Sequence, residues 1–256
     1  MRRLFVFFLF ITFALGGCAA LLPCSDDPQC QRVLFIGNSY TYVNDLPATF
    51  TKLAQAGAQR VETGMAAEGG WTLTQHANSS ETLDQIKSSK WNYVVLQEQS
   101  QVPASQSARE TGMYPAARLL AAKIKDTGAT TLLFVTWAHR DGWPEVGLPG
   151  YESMQLQINA GYLALGQELK AQISPVGFAW LAVLRKYPQM KLWQEDGSHP
   201  SEMGTYLAAC VFYAVIFRQS PEGLSYQSSL TKEDAGTLQK IAADIVLNST
   251  KRWNLP

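Results

Sequence analysis

The chain has 256 residues, of which 46% are hydrophobic and 16% charged, and its 21 basic and 21 acidic side chains balance. That composition is ordinary for a globular protein. The chain is long enough for one large core, and no repeat or low-complexity tract divides it. The charges form no basic stripe, so nucleic acid is excluded as an expected partner.

The first residues predict an export signal. Two arginines, Arg2 and Arg3, precede the apolar run 4–15, which is too short to span a bilayer as a permanent helix. A pair of glycines then leads to Cys18, and this arrangement resembles the bacterial lipoprotein box, in which the cysteine becomes the lipidated N-terminus. We predict a signal peptide over 1–17 and lipidation of Cys18. An ordinary signal peptide with a coincidental cysteine is the alternative.

The residues after the cleavage point predict an envelope location. Ala19 follows the cysteine in place of an aspartate, which in the sorting pattern of diderm bacteria favours the outer membrane. Residues 18–31 are interpreted as a tether, and Cys24 and Cys30 flank a short polar loop within it. In an exported protein these cysteines either form a disulfide or remain free thiols.

Strands and helices alternate through the region 32–256, which we interpret as one domain. In chain order the predicted elements are a strand at 32–36, a helix at 46–57, a strand at 60–66, a short helix at 83–89, a strand at 92–96, a helix around 113–124, a strand at 130–137, a helix at 151–171, a strand at 175–178, and helices at 181–186, 202–218 and 232–247.

Short, almost wholly apolar strands that alternate with helices favour a parallel sheet covered on both faces. In such sheets the functional groups lie at the carboxyl ends of the strands. The nearly all-apolar helix at 202–218 is too short for a membrane span and is assigned to the core, with Cys210 as a buried thiol.

A serine at the end of the first strand is the main candidate for chemistry. Ser39 closes the run "VLFIGNS", and a serine hydroxyl becomes a nucleophile only when a base removes its proton. Among the three histidines, His199 has Asp196 three residues before it, in a turn that Gly197 loosens. A carboxylate in that position fixes the tautomer of the imidazole, so we predict a Ser39–His199–Asp196 triad. A turn or helix cap is the alternative for Ser39.

These segments resemble the SGNH (GDSL-type) hydrolases in order and spacing, and "LQEQS" and "DGSHPS" resemble a less characterised branch of that superfamily. The counterparts of its four signature blocks are Gly37-Asn38-Ser39, Gly70 or the neighbouring Gly69, the pair Gln97 and Gln99, and Asp196 with His199. Two departures stand out: Asn38 replaces an aspartate, and Gln99 stands where the family has an asparagine.

The resemblance implies a three-layer α/β sandwich around a five-stranded, parallel, flavodoxin-like sheet. It also implies an oxyanion hole formed by the backbone N–H groups of Ser39 and Gly70 and by the amide of Gln99. A packed polar residue without a catalytic role is the alternative for Gln99, and Glu98 is interpreted as structural.

The expected function is that of an exported, lipid-anchored serine esterase that removes small acyl groups such as acetyl, including acetyl esters of carbohydrates. An acyltransferase acting on an envelope glycan and a non-catalytic binding lipoprotein remain open. Nothing in the sequence resembles a nucleotide loop or a zinc site, so no cofactor or metal is predicted.

Other aromatic and histidine side chains leave two interpretations open. His76 and His139 are assigned to structure, with a place in the cleft as the alternative. Trp71, Trp137 and Trp143 either form a platform for a sugar or acyl group or pack in the core.

Overall fold

The computed structural model describes residue 24 and residues 27–256. The predicted signal peptide, Cys18 and most of the predicted tether lie outside these residues. A five-stranded parallel sheet with the order β2-β1-β3-β4-β5 forms the centre of the described region, which confirms the predicted α/β class and the flavodoxin-like strand order. The strands are β1 (Gln31–Gly37), β2 (Val61–Ala67), β3 (Tyr93–Leu96), β4 (Thr130–Phe134) and β5 (Gln172–Ser174).

Helices flank the sheet in two packed groups, one made of α2, α7, α8 and α9 and the other of α3, α4, α5 and α6. The helices are α1 (Ser39–Tyr42), α2 (Leu46–Ala56), α3 (Leu73–Ala77), α4 (Ser80–Lys87), α5 (Tyr114–Asp126), α6 (Tyr151–Leu169), α7 (Val176–Lys186), α8 (Glu202–Phe217) and α9 (Lys232–Leu247). Short turns of helix at Val102–Ala104, Gln106–Ala108, Arg109–Met113, Pro144–Val146 and Thr250–Trp253 connect them.

Helix α8 forms the centre of one layer. Nearly all of its side chains are buried, and Phe212 packs edge-to-face on Phe35 of β1 at a centroid distance of 5.2 Å. This confirms the core assignment of the apolar stretch. No helix in the described part of the chain is long and apolar enough to cross a membrane.

Helix α2 begins and ends where the sequence predicts. The Asp45 side chain accepts the N–H of Ala48 at 3.1 Å and so satisfies one free donor of the first turn. The helix stops before Gly57, and its apolar face, with Phe50 and Leu53, is fully buried.

The strand predicted at 175–178 is wrong. The fifth strand ends at Ser174, and Pro175 stands at the cap of α7, where its fixed φ suits the start of a helix. A short apolar run cannot be assigned to helix or strand by periodicity alone, and this one belongs to the helix. The small antiparallel pair Gly142–Trp143 and Leu148–Pro149 was not predicted either.

The cysteine alternatives are resolved. Cys24 and Cys30 form a disulfide with a Cα–Cα distance of 5.6 Å, which ties the residues before β1 to its entry. Cys210 is a free, fully buried thiol, and burial raises its pKa far above the usual range, as expected for an inert core residue.

Candidate active site

Three side chains that are far apart in the sequence meet at the carboxyl edge of the sheet. Ser39 opens α1 directly after β1, and His199 lies in the loop before α8. The Ser39 hydroxyl lies 3.0 Å from Nε2 of His199, and Nδ1 of the same ring lies 2.5 Å from Oδ2 of Asp196. The structure therefore brings together the three residues that the sequence singles out, with the geometry of a Ser-His-Asp triad.

The loop around Asp196 orients its own carboxylate. Oδ1 accepts the backbone N–H groups of Ser198 and His199 at 2.9 and 3.0 Å, which leaves Oδ2 for the imidazole. Burial would raise the pKa of Asp196, but the hydrogen bonds from the His199 ring and from the two N–H groups outweigh it and lower the pKa. Because the side chain is 46% exposed, water screens its charge, and these directional bonds dominate the placement of the ring.

Aromatic packing supports the other side of this loop. Tyr40, the residue after Ser39, stacks on Trp137 at 4.6 Å and meets the His199 ring edge-on at 6.0 Å. Its hydroxyl lies 2.8 Å from Oγ of Ser198, and the indole N–H of Trp137 donates to the Ser198 carbonyl at 3.0 Å. Trp137 is fully buried, so the core interpretation holds for this tryptophan.

A buried pair of amides holds the turn that carries Ser39. Oε1 of Gln97 accepts the N–H of Asn38 at 2.8 Å and the hydroxyl of Thr41 at 2.9 Å, and Nε2 of Gln97 donates to Oδ1 of Asn38 at 3.0 Å. Nδ2 of Asn38 donates in turn to the carbonyl of Trp71 at 2.9 Å, a bond that an ionised aspartate could not make. Asn38, which replaces the aspartate of the family, and Gln97 therefore bind each other. The sequence alone did not predict this contact.

The predicted oxyanion donors belong to residues that line one cleft, Ser39, Gly70 and Gln99. Gly70 lies in a turn with φ of +72°, which favours glycine, and it lines the same cleft as Ser39. Within the described part of the chain, the backbone N–H groups of Ser39 and Gly70 donate to no acceptor. The two amides are thus free for a ligand oxygen.

Gln99 lines the cleft, and hydrogen bonds to the next three residues hold its side-chain amide. Its Oε1 accepts the backbone N–H groups of Gln101 and Val102 at 2.8 and 3.2 Å, and its Nε2 donates to Oγ of Ser100 at 3.3 Å. An amide nitrogen has two N–H groups, so one remains for a ligand. This arrangement suits the donor role that the resemblance implies for Gln99.

These groups open into a cleft of about 380 Å³. Its lining has polar and apolar surface in about equal parts and consists of Asn38, Ser39, Tyr40, Tyr42, Gly69, Gly70, Gln99, Ser100, Gln101, His139, Ser198 and His199.

The two remaining histidines have different places. His76 is 1% exposed and bonds the Gly37 carbonyl and the Thr82 hydroxyl at 2.8 and 3.0 Å, as expected for a structural histidine. His139 lines the cleft instead, with Nε2 at 3.0 Å from Oγ of Ser100. Burial lowers the pKa of both rings, which favours their neutral forms.

Glu98 lies between the two glutamines and is fully buried. Its Oε1 accepts two backbone N–H groups, those of Leu73 at 3.1 Å and Gln99 at 2.7 Å, while Oε2 has no hydrogen-bond partner among the described residues. Burial raises the pKa of this carboxyl to about 7, against the two N–H bonds, which lower it.

The raised pKa of Glu98 predicts a pH-dependent stability. Between pH 4.5 and about 7 the folded protein keeps a proton that the unfolded chain releases, so this residue lowers the free energy of unfolding as the pH rises. Glu98→Gln removes the effect, and the stability of the variant relative to the natural protein should increase over this range by up to about 3 kcal/mol. Urea unfolding at pH 5 and pH 8 measures the difference; equal differences at the two pH values would contradict the prediction.

Solved structures of similar proteins share this fold. A candidate SGNH hydrolase from Slackia heliotrinireducens is 27% identical and aligns over 72% of this chain and 97% of its own, with a TM-score of 0.61. A DUF4886 family protein from Bacteroides uniformis is 17% identical over 85% of this chain and 95% of its own, with a TM-score of 0.72. An acetylxylan esterase from Geobacillus stearothermophilus is 16% identical over 72% and 92%, with a TM-score of 0.55.

Fold and site together define the class of the protein. The chain has the SGNH hydrolase fold, which confirms the resemblance seen in its signature blocks. No family model and no curated protein matches the sequence.

Proposed function

We propose that the protein is a carboxylic ester hydrolase that uses Ser39 as its nucleophile. The observation that carries the proposal is the continuous chain of hydrogen bonds from the Ser39 hydroxyl through His199 to Asp196. Ser39 and His199 line a cleft, and the backbone N–H groups of Ser39 and Gly70 donate to no acceptor among the described residues. A non-catalytic binding protein has no need for these three side chains to be aligned within hydrogen-bond distance.

Acylation of Ser39 follows from this geometry. Nε2 of His199 takes the proton of the Ser39 hydroxyl as Oγ bonds to the ester carbonyl carbon, and Asp196 stabilises the imidazolium that forms. The negative carbonyl oxygen accepts hydrogen bonds from the N–H groups of Ser39 and Gly70 and from the Gln99 amide. His199 then returns the proton to the departing alcohol oxygen as the C–O bond breaks.

Deacylation reverses the roles with water in place of the alcohol. His199 takes a proton from the water as its oxygen bonds to the acyl carbon, and the same three donors hold the second oxyanion. The imidazolium then protonates Oγ of Ser39, which frees the carboxylic acid and restores the enzyme.

Small acyl esters of carbohydrates are the substrates that we propose. The cleft of about 380 Å³ offers little room for a long acyl chain, and Ser100, Gln101 and His139 supply polar groups suited to sugar hydroxyls. The acetylxylan esterase among the similar structures supports the same substrate class.

An ester panel tests both parts of the proposal. The purified protein should hydrolyse p-nitrophenyl acetate much faster than p-nitrophenyl palmitate, and it should release acetate from acetylated oligosaccharides. Absence of turnover on every ester would contradict the proposal. Transfer of the acetyl group to an added glycan, with acylated glycan as the product, would indicate an acyltransferase instead.

Gln99→Ala is expected to slow the enzyme without abolishing it. Loss of one oxyanion donor costs about two to four kcal/mol of transition-state stabilisation, or about 30- to 1,000-fold in kcat. Gln99→Glu, which keeps the acceptor for the Gln101 and Val102 amides but removes the donor, should lose at least as much. Steady-state kinetics beside the exposed control Gln106→Ala measures the effect, and an unchanged kcat in both Gln99 variants would remove this residue from the oxyanion hole.

We also propose that the protein is anchored to the outer membrane through a lipid on Cys18. The arginine pair, the apolar run and the glycine pair before this cysteine support the proposal. Cells grown with an alkyne-labelled fatty acid should incorporate the label into the protein and lose it in Cys18→Ala. Incorporation that persists in the variant would contradict lipidation at this residue.

A further inference from the structure

A buried carboxyl group joins the two loops that carry Gly70 and Gln99, two of the three proposed oxyanion donors. We propose that Glu98 is a positioning residue for the oxyanion hole: one of its oxygens holds the loop that carries Gly70 against the loop that carries Gln99. This inference rests on the proposed esterase function and adds to it a residue that is not among the signature positions.

The contacts of a single oxygen carry the proposal. Oε1 of Glu98 accepts the N–H of Leu73, the first residue of α3, at 3.1 Å, and the N–H of Gln99 at 2.7 Å. Leu73 lies three residues after Gly70, and Gln99 is itself the side-chain donor. Because both amides bind the same atom, the two loops cannot separate without breaking one of these bonds.

Burial makes this bridge rigid. Glu98 is 0% exposed, and its own N–H donates to the hydroxyl of Tyr162 on α6 at 3.0 Å, which fixes the strand end from a third direction. The position of the carboxyl oxygen is thus set by the core and not by solvent. The loop that carries Gly70 has two exposed glycines, Gly69 and Gly70, and gains from such a fixed reference point.

Burying a carboxyl with one oxygen unpartnered is unfavourable. An apolar side chain would avoid that cost but would leave the N–H groups of Leu73 and Gln99 without this acceptor, so the carboxyl is kept for these two bonds. Alignment of catalytic donors offers a reason, because an oxyanion donor must lie about 2.7–3.1 Å from its target and a displacement of about 1 Å can cost about 100-fold in rate.

The two residues beside Glu98, Gln97 and Gln99, also belong to the site. Gln97 holds the turn that carries Ser39, Glu98 holds the loop that carries Gly70, and Gln99 lines the cleft. Three consecutive residues after β3 therefore connect three parts of the site.

Glu98 also offers a readout that a purely structural residue would not move. Ionisation would place a negative charge in contact with the backbone amide of Gln99, a residue that lines the cleft, and would oppose the developing oxyanion. In the described part of the chain, the carboxyl of Glu98 binds the amides of Leu73 and Gln99, and its backbone N–H donates to the Tyr162 hydroxyl. Burial raises the pKa of Tyr162 far above the usual range, so that this hydroxyl stays neutral. Activity of the natural enzyme should therefore fall on the alkaline side as Glu98 ionises, and Glu98→Gln should not show this decline.

Three variants test the inference on p-nitrophenyl acetate, each below its own melting temperature. Glu98→Leu removes the bridging oxygen and should lower kcat by about 10- to 100-fold with little change in KM. Glu98→Gln keeps an acceptor oxygen and should retain a kcat near that of the natural enzyme at pH 6.5. Gln239→Leu is the matched control. Gln239 is a buried residue of α9, and its Oε1 accepts the N–H of Gly223 in a loop at 3.0 Å. Its replacement should lower the stability and leave kcat unchanged.

Hydrogen exchange supplies the second measurement, because it does not depend on turnover and remains useful where Glu98→Leu is only marginally stable. The amides of Leu73 and Gln99 should exchange faster in Glu98→Leu than in the natural protein, but not in Glu98→Gln. An active natural enzyme with an unchanged kcat in folded Glu98→Leu, or with a Glu98→Gln pH profile identical to its own, would overturn the inference. An inactive natural protein would instead overturn the proposed function, and the catalytic role of Glu98 with it.

Discussion

Replacement of Ser39 by alanine is expected to lower kcat on p-nitrophenyl acetate by about 10⁴- to 10⁶-fold. The variant loses the Oγ atom that forms the covalent bond to the acyl carbon, and His199 is then left without the proton donor that lies 3.0 Å from its Nε2. Residual hydrolysis would come from water in the cleft, assisted by the oxyanion donors alone. Steady-state kinetics with active-site titration measures the loss.

The Ser39→Ala variant should remain folded, because the removed hydroxyl has His199 as its partner and the turn is held by Gln97 and Asn38. Ser80→Ala, at the exposed start of α4, is the control and should retain full activity. A Ser39→Ala protein with more than a few per cent of the natural kcat would show that another residue, or a contaminant, carries the reaction.

Asp196→Asn is expected to lower kcat by about 10²- to 10⁴-fold while the loop keeps its shape. The remaining amide oxygen can still accept the N–H groups of Ser198 and His199, but an amide N–H would face Nδ1 of the ring. That contact favours the tautomer with its proton on Nε2, which can no longer take a proton from Ser39. Because water screens the charge of the exposed Asp196 carboxylate, the expected loss of kcat is smaller than that in Ser39→Ala.

Asp141→Asn provides the charge-matched control for this variant. Asp141 is an exposed acid that pairs with Arg140, and its replacement removes the same charge without touching His199. The account requires that Asp141→Asn keeps the natural kcat. An equal loss in the two variants would show that net charge near the cleft, and not the orientation of His199, sets the rate.

The sheet could be predicted because its signals are local. Short apolar runs bounded by glycine, proline and polar residues predicted four of the five strands, and the Asp45 cap and Gly57 placed both ends of α2. The fifth strand was misplaced because the apolar residues after Pro175 suit either a helix or a strand. The absence of a Cβ at Gly177 lets the first turn of this helix pack closely against the Thr136 carbonyl and the Gln155 side chain. Such contacts are invisible in the local pattern.

The site was predictable only where its residue types are diagnostic. A serine at the end of a strand and an Asp-x-x-His turn are together typical of a Ser-His-Asp triad, so Ser39, Asp196 and His199 could be chosen from the sequence. The roles of Gln97 and Glu98 depend on the backbone amides of Asn38 and Leu73, which lie 59 and 25 residues away in the sequence. Gln97, which stands where the family has a glycine, was the available sequence signal for these roles. Its role becomes clear only from its contact with Asn38 in the structure.

Covalent labelling tests the central claim most directly. Treatment of the folded protein with a fluorophosphonate, followed by digestion and mass spectrometry, should give one adduct on Ser39, and labelling should slow by orders of magnitude in His199→Ala. A folded protein that takes no label at Ser39, or that takes it equally fast without the imidazole, would contradict the account.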